Sequence, residues 1–306
     1  PIGIPPHPLF EDFARDTRAV SLGHPGETHA LEFEDGKILF GYTHPMETVR
    51  YATILKTLGE SGWVQTLQEA DIVAFQNWTM VIHMTEIVSR MAETILPQLS
   101  PSKDREWFFD LADPQKRSPE DLRTLLGHLK SFESYGRTTL SLNRGEADRV
   151  GQVLHLPFPN SHDRTLDAWL YSVRKFLAIE CVSLHHAVFS ACATSEGIGR
   201  AESSKILHPV CLTGSGDHFN AGYLVGRLLG LKTEDCLRCG NAFAGTYIEL
   251  GRTPELAEVE IFLKQQSYGS RGIDHVRGKR RVRENHANQP NGSAAGRPRP
   301  TRSGHP

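Results

Sequence analysis

From about residue 46 onward, short apolar runs alternate with longer segments of helical periodicity, and this alternation restricts the fold more than any other feature of the sequence. The apolar runs are Ala70–Phe75, Trp107–Asp110, Thr138–Leu142, Glu180–Leu184 and Ala187–Ser190, with helical stretches near 79–98, 118–132, 145–154 and 164–178. Strand, helix, strand, repeated, predicts a largely parallel sheet covered by helices on both faces, a three-layer α/β architecture. In such sheets ligands bind beyond the carboxyl ends of the strands. Three more helices are predicted at 217–230, 233–250 and 254–265, the last two opening on Thr233-Glu234-Asp235 and Pro254-Glu255. Ahead of the alternation, two short alternating runs, His29–Glu34 and Lys37–Phe40, flank the turn signal Asp35-Gly36 and predict a hairpin.

Charge is unevenly spread. Residues 267–306 carry nine Lys/Arg against two Asp/Glu and contain no Leu, Phe or Trp, whereas residues 1–266 carry 25 against 34. The last segment therefore reads as a disordered basic tail that cannot bury enough apolar area to offset its ordering entropy. An acidic body argues against broad nucleic-acid binding, which needs clustered Lys/Arg. No run approaches the roughly 18 apolar residues of a membrane span, and no secretory h-region is present, so the expectation is a cytoplasmic protein without a membrane partner. Five scattered cysteines fit free thiols rather than a disulfide framework.

The most specific local feature is Cys211-Leu212-Thr213-Gly214-Ser215-Gly216-Asp217, a Gly-rich turn leading into a helix whose Phe219, Tyr223 and Leu224 share a face. Two glycines and a helix N-terminus can aim several N–H groups at one anion. Asp217, in the first turn, stands where it could take a proton from a hydroxyl attacking the phosphorus held there. A helix cap by Asp217 is the competing reading. A second feature lies upstream: Asn143-Arg144-Gly145-Glu146 opens a helix at the end of a strand, either as an acidic helix start or as part of a phosphate and metal site.

The run TGSGDHFNAG resembles the second signature of the ribokinase-like PfkB family of carbohydrate kinases, and Asn143–Glu146 resembles that family's N-x-x-E motif in the correct order and place. The resemblance implies a ribokinase-like fold and ATP-dependent phosphoryl transfer to a hydroxyl of a sugar or sugar-like substrate. It assigns Asp217 as catalytic base and Gly214, Ser215 and Gly216 as the anion hole. Asn143 and Glu146 would organise phosphate and Mg²⁺, Glu146 through water. Asp110, followed by Arg117 in WFFDLADPQKRS, resembles a loop the family places near the phosphates. Residues 240–263 look like the helices bordering the adenine pocket, with Asn241 at a nucleotide-binding position.

Departures from the family pattern carry expectations of their own. Cys211-Leu212 stands where many members have Asp-Thr, and that Asp contributes to a monovalent-cation site, so a K⁺ requirement is not carried over. Around Gly197 and Gly199 the usual T-x-G-x-x-G nucleotide loop is indistinct. No diglycine motif is found near the N-terminus, so residues 1–45 read as a partial β lid, residues 46–266 as the α/β domain, and the first strands of the family fold as missing. A chain of this kind either retains kinase activity or is a non-catalytic ligand-binding relic, and it dimerises through the lid only if the lid is complete.

Other chemistry-bearing residues read as structural. Cys236 and Cys239 fall within one predicted helix without a second pair at metal spacing, and His83, His185 and His186 lack acidic or thiol neighbours at ligand spacing, so no zinc is assigned. Asn77-Trp78 follows a strand and reads equally as ligand-facing or as helix packing.

Overall fold

A computed structural model of the chain describes residues 2–3, 8–33, 36–159 and 164–265. The reading of 267–306 as a disordered tail falls outside these residues. The chain divides into two compact units, Pro1–Glu255 and Leu256–Pro306; in the second, residues 256–265 are helical.

The first unit opens with a two-residue strand β1 (Ile2–Gly3), helix α1 (Glu11–Asp16) and strand β2 (Val20–Ser21), which pairs parallel to β1. The expected hairpin follows as β3 (Glu27–Phe33) and β4 (Gly36–Tyr42), longer than the two alternating runs; its tip at 34–35 is outside the described residues. Leu31, Phe33, Ile38, Phe40 and Tyr42 are all exposed. The register pairs Leu31 with Ile38 and sets Phe33 and Phe40 two residues along, so they share one pleat face.

Helices α2 (Tyr51–Leu58) and α3 (Glu60–Glu69) lead into the central sheet. Its strands are β5 (Ile72–Phe75), β6 (Glu106–Asp110), β7 (Arg137–Asn143), β8 (Cys181–His186), β9 (Phe189–Ala193) and β10 (Ile198–Glu202), in the spatial order β10-β9-β8-β7-β6-β5. β5 to β8 run parallel and β8 to β10 antiparallel. The connecting helices are α4 (Met84–Arg90), α5 (Pro119–Glu133), α6 (Arg144–Leu154) and α7 (Arg164–Leu177). Because strand order rises monotonically and such crossovers are right-handed, all of these helices must lie on one face of the sheet. They do: their apolar stripes join Trp107, Phe109, Leu140, Leu142, Val182 and Leu184 in a single core. The opposite face is closed by α8 (Ser215–Leu228) and α9 (Thr233–Leu250), over Phe108, Cys181 and Cys192.

Two sequence expectations are corrected here. The helix expected over 79–98 begins only at Met84, then widens into a π turn at Met91–Ile95 and tightens at Leu96–Gln98, where Pro97 has no N–H to give. The strand expected at Ala187–Ser190 starts two residues later, as β9: Ala187 and Val188 form a two-residue turn after β8, with His186 opposite Phe189. Around Gly197 and Gly199, where the nucleotide loop is indistinct in the sequence, Gly197, at φ +139°, turns the chain into β10.

α8 is fastened to the sheet far from its N-terminus. Glu106, 1% exposed, receives the Arg227 guanidinium at 3.0 and 3.1 Å and the Thr139 hydroxyl.

Candidate active site

Strand pleating creates the site. In β6, Phe109 points into the large core while Asp110 faces α8, and in β7 Leu140 and Leu142 point into the core while Ser141 faces α8. The register sets Asp110 beside Ser141. Asn220, fully buried on α8, joins them: its amide donates to Asp110 Oδ2 at 2.5 Å and its oxygen accepts from Ser141 Oγ at 2.8 Å. Sequence reading missed Asn220, and no local signal marks it, because its partners lie 79 and 110 positions away along the chain.

Asn143 ends β7 and begins α6 in a full capping box. Its Oδ1 accepts from Glu146 N–H at 3.0 Å, and Glu146 Oε2 accepts from Asn143 N–H at 2.7 Å. Glu146 Oε1 also accepts from Asp113 N–H at 3.3 Å. The helix-start reading is thus realised, and the same box holds the Glu146 carboxylate, 3% exposed, near Asp110. Burial raises the Glu146 pKa to about 7, with the Asp110 charge adding to the rise. Burial likewise raises Asp110 to about 6, opposed by the Asn220 hydrogen bond and reinforced by Asp217. Two carboxylates that repel one another in a desolvated corner are a pair that a cation would stabilise.

The Gly-rich turn follows at the N-terminus of α8. Gly214 is the residue preceding the helix and sits at φ +93°, which favours glycine. Asp217 is not a helix cap: α8 has no side-chain cap, and Asp217 lies at its third residue, exposed. Partial desolvation raises its pKa, and His218 pulls it back. Of the three residues expected to form the anion hole, Ser215 spends its N–H on the Leu212 carbonyl at 3.2 Å. By position, the N–H groups of Gly216 and Asp217 are the orphan donors of the first turn. A Cβ on Gly216 would lie 3.2 Å from His185 Cε1, so a side chain there would press on that ring. His185 stacks on Phe219 with centroids 4.9 Å apart, and burial lowers its pKa to about 4, leaving it neutral at pH 7.

Beside the turn is a cavity of about 580 Å³ lined by Asn143, His185, Ser203, Lys205, Gly216 and Asn241, among others. Asn241 reaches it, but its Nδ2 already donates to the Ala201 and Glu202 carbonyls at 3.4 and 3.1 Å, so the amide also ties α9 to β10.

The Arg117 guanidinium is taken up by protein partners. It donates to the carbonyls of Trp78, Thr79, Val81 and Ile82, pairs with Asp121 and stacks on Trp78 at 4.5 Å. It fastens the 78–82 loop. Trp78 is a core residue, 1% exposed, donating to Thr85 Oγ1 at 2.8 Å. Cys236 and Cys239 are free thiols on α9, and His83 faces Glu86. Among the described residues no three His, Cys, Asp or Glu side chains gather to hold a metal, and no helix is long and apolar enough to cross a membrane.

Comparison with known proteins agrees with this architecture. The chain is 26% identical over 255 residues to a ketohexokinase of Haloferax volcanii, covering 83% of this chain and 66% of that protein, so it spans just under two thirds of the relative's length. Among solved structures, an adenosine kinase from Sinorhizobium meliloti superposes with a TM-score of 0.60 at 17% identity, over 85% of this chain and 75% of that one. A ribokinase from Thermotoga maritima does so at 0.56 and 18%, over 79% and 70%. These likenesses establish the ribokinase-like fold. A family model described as prokaryotic ketohexokinase matches residues 1–266, and the chain belongs to that family.

Proposed function

We propose that the protein transfers the γ-phosphoryl group of ATP to a hydroxyl of a ketohexose. The observation that carries this reading is the placement of the Gly214–Asp217 turn next to a buried Asp110/Glu146 pair and a cavity large enough for a nucleotide. Asp217 takes the proton of the attacking hydroxyl as its oxygen bonds to phosphorus and the bond to the β-phosphate oxygen breaks. The N–H groups of Gly216 and Asp217 hold the charge on the transferring group, with Gly214 supplying the turn and Ser215 closing it. Asp110 and Glu146, oriented by Asn220 and Asn143, would hold Mg²⁺, Glu146 through water. Two protein carboxylates suit this ion, which keeps several waters and binds phosphate oxygens directly. When bound, it neutralises the phosphate oxygens. The nucleotide lies along the cavity lined by Asn143, His185 and Asn241.

A ketohexose is the acceptor favoured by the family and by the name of the Haloferax relative. The exposed apolar face of the β3–β4 hairpin supports a homodimer formed through that hairpin. A cytoplasmic location, where ATP and sugar coexist, completes the reading.

The test is ADP formation by the full chain against a panel of ketohexoses, aldoses and nucleosides, with Asp217→Asn in parallel. Loss of the proton acceptor should lower kcat by roughly 10²–10⁴. Because Asp217 is exposed and caps nothing, the variant should fold as the parent does. Unchanged turnover in Asp217→Asn would exclude the mechanism; nucleotide binding without transfer to any acceptor would favour the relic.

A further inference from the structure

The back of the Gly214–Asp217 turn is held by two side chains whose roles nothing in the sequence announces. Tyr247, near the end of α9, donates its hydroxyl to the Thr213 carbonyl at 2.6 Å and lies 3.4 Å from Cys211 Sγ. The Cys211 thiol itself points to that same carbonyl, at 3.5 Å. A Cβ on Gly214 would come within 3.1 Å of the phenol oxygen, so the hydroxyl is set into the concavity of the turn. His218 stacks on the Tyr247 ring, with centroids 3.8 Å apart and planes 15° from parallel, and its Nδ1 lies 2.8 Å from the Gly214 carbonyl. A carbonyl only accepts, so Nδ1 carries the proton. Nearby, the Ile248 carbonyl, in the last turn of α9, accepts from Val210 and Cys211 at 2.8 and 3.4 Å. Two consecutive carbonyls, of Thr213 and Gly214, thus each receive a side-chain donor.

A hard monovalent cation in this position would need those oxygens as ligands. Here they are occupied by O–H and N–H donors, and the acidic residue that contributes to such a site in resembling kinases is replaced by the soft thiol of Cys211. The residues do not fit a cation. We propose that Tyr247 is a positioning residue that stands in for one: its hydroxyl polarises the Thr213 carbonyl from behind and fixes the turn, making nucleotide binding independent of K⁺. The proposal rests on the kinase reading only in naming the nucleotide; the clamp is independent of it.

Two measurements on the full chain test it. The thermal midpoint without nucleotide should be the same in KCl as in tetramethylammonium chloride at equal ionic strength; a K⁺-specific rise of several degrees would overturn the proposal whatever the activity. By calorimetry, a non-hydrolysable ATP analogue with Mg²⁺ should bind wild type within about twofold in the two salts. Tyr247→Phe, losing one hydrogen-bond donor to the turn, should bind it about tenfold more weakly. The exposed-site control Tyr171→Phe should bind as wild type does. Wild-type affinity in Tyr247→Phe, or a K⁺-dependent affinity in the parent, would refute the assignment. If the parent binds no analogue at all, the kinase reading fails, and the salt dependence of the midpoint alone decides the clamp.

Discussion

Asn220 on α8 donates to the Asp110 carboxylate on β6 at 2.5 Å and accepts from Ser141 on β7 at 2.8 Å, so one buried amide fixes the helix that carries the Gly-rich turn to the two strands beneath it. Replacing Asn220 by Leu leaves the Asp110 carboxylate and the Ser141 hydroxyl without their partner. Stability should fall by about 1–3 kcal/mol. Mg²⁺-dependent turnover should fall further, by roughly 10–100-fold, because an oriented carboxylate is lost. Urea unfolding and steady-state kinetics separate the two effects, and an Asn220→Leu protein with normal turnover would remove Asn220 from the site.

The Asp110/Glu146 pair predicts opposite pH responses for folding and for metal binding. Both folded-state pKa values lie above the ordinary carboxylate values of 3.8 and 4.5, at about 6 and about 7. Between pH 4 and 7, roughly, the folded chain therefore binds more protons than the unfolded chain, and the contribution of this pair to stability declines as pH rises through that window. The proposed Mg²⁺ site needs both groups ionised, so Mg²⁺ affinity should climb over the same range. Thermal melts without metal at pH 5 and pH 8, repeated with Asp110→Asn/Glu146→Gln, check the sign: the double variant should lose much of the difference.

Arg117 tests how far a motif can be trusted without its contacts. Lysine keeps the charge but cannot fork onto the carbonyls of Trp78, Val81 and Ile82 or stack on Trp78 in the same way. Arg117→Lys should destabilise the protein by about 2–3 kcal/mol. Its KM for ATP, measured well below the melting temperature, should stay within about twofold of wild type, since removing no ligand contact leaves binding energy unchanged. A selective rise in that KM would return Arg117 to the phosphate site.

For the hairpin, Phe40→Glu should convert a dimer to a monomer, read as a halved mass in sedimentation velocity at micromolar concentration. Phe40 is 57% exposed, so the substitution should cost the isolated subunit little. A parent chain that is monomeric at those concentrations would argue against the hairpin as an interface.

Elements with a period in the sequence were legible before the structure. The four parallel strands, α9 over the full expected span and the capping box at Asn143–Glu146 all follow from local pattern and order. Residues whose work is defined by a partner far along the chain were not. Asn220 meets Asp110 across 110 positions, and Tyr247 reaches Thr213 across 34. Nothing local distinguishes either from an ordinary helix residue. Arg117 is the complementary case: its spacing from Asp110 resembles a phosphate loop, but Trp78 and a run of carbonyls turned inward engage its guanidinium. β10 is not legible because it is a short edge strand that starts just after Gly197 and contains Gly199, a composition that reads more readily as a loop.

The register of β6 against β7 makes core and site two sides of one pleat, since Asp110 and Ser141 face α8 while Phe109 and Leu140 face the other helices. Losing one residue within β6 would send a carboxylate into the apolar layer and a phenyl ring into the cleft at once, with no partial remedy. Length changes in descendants of this chain should therefore gather in the connections between strands and helices, and almost never inside the strands, even where sequence identity has decayed to the point that the strands themselves are hard to align.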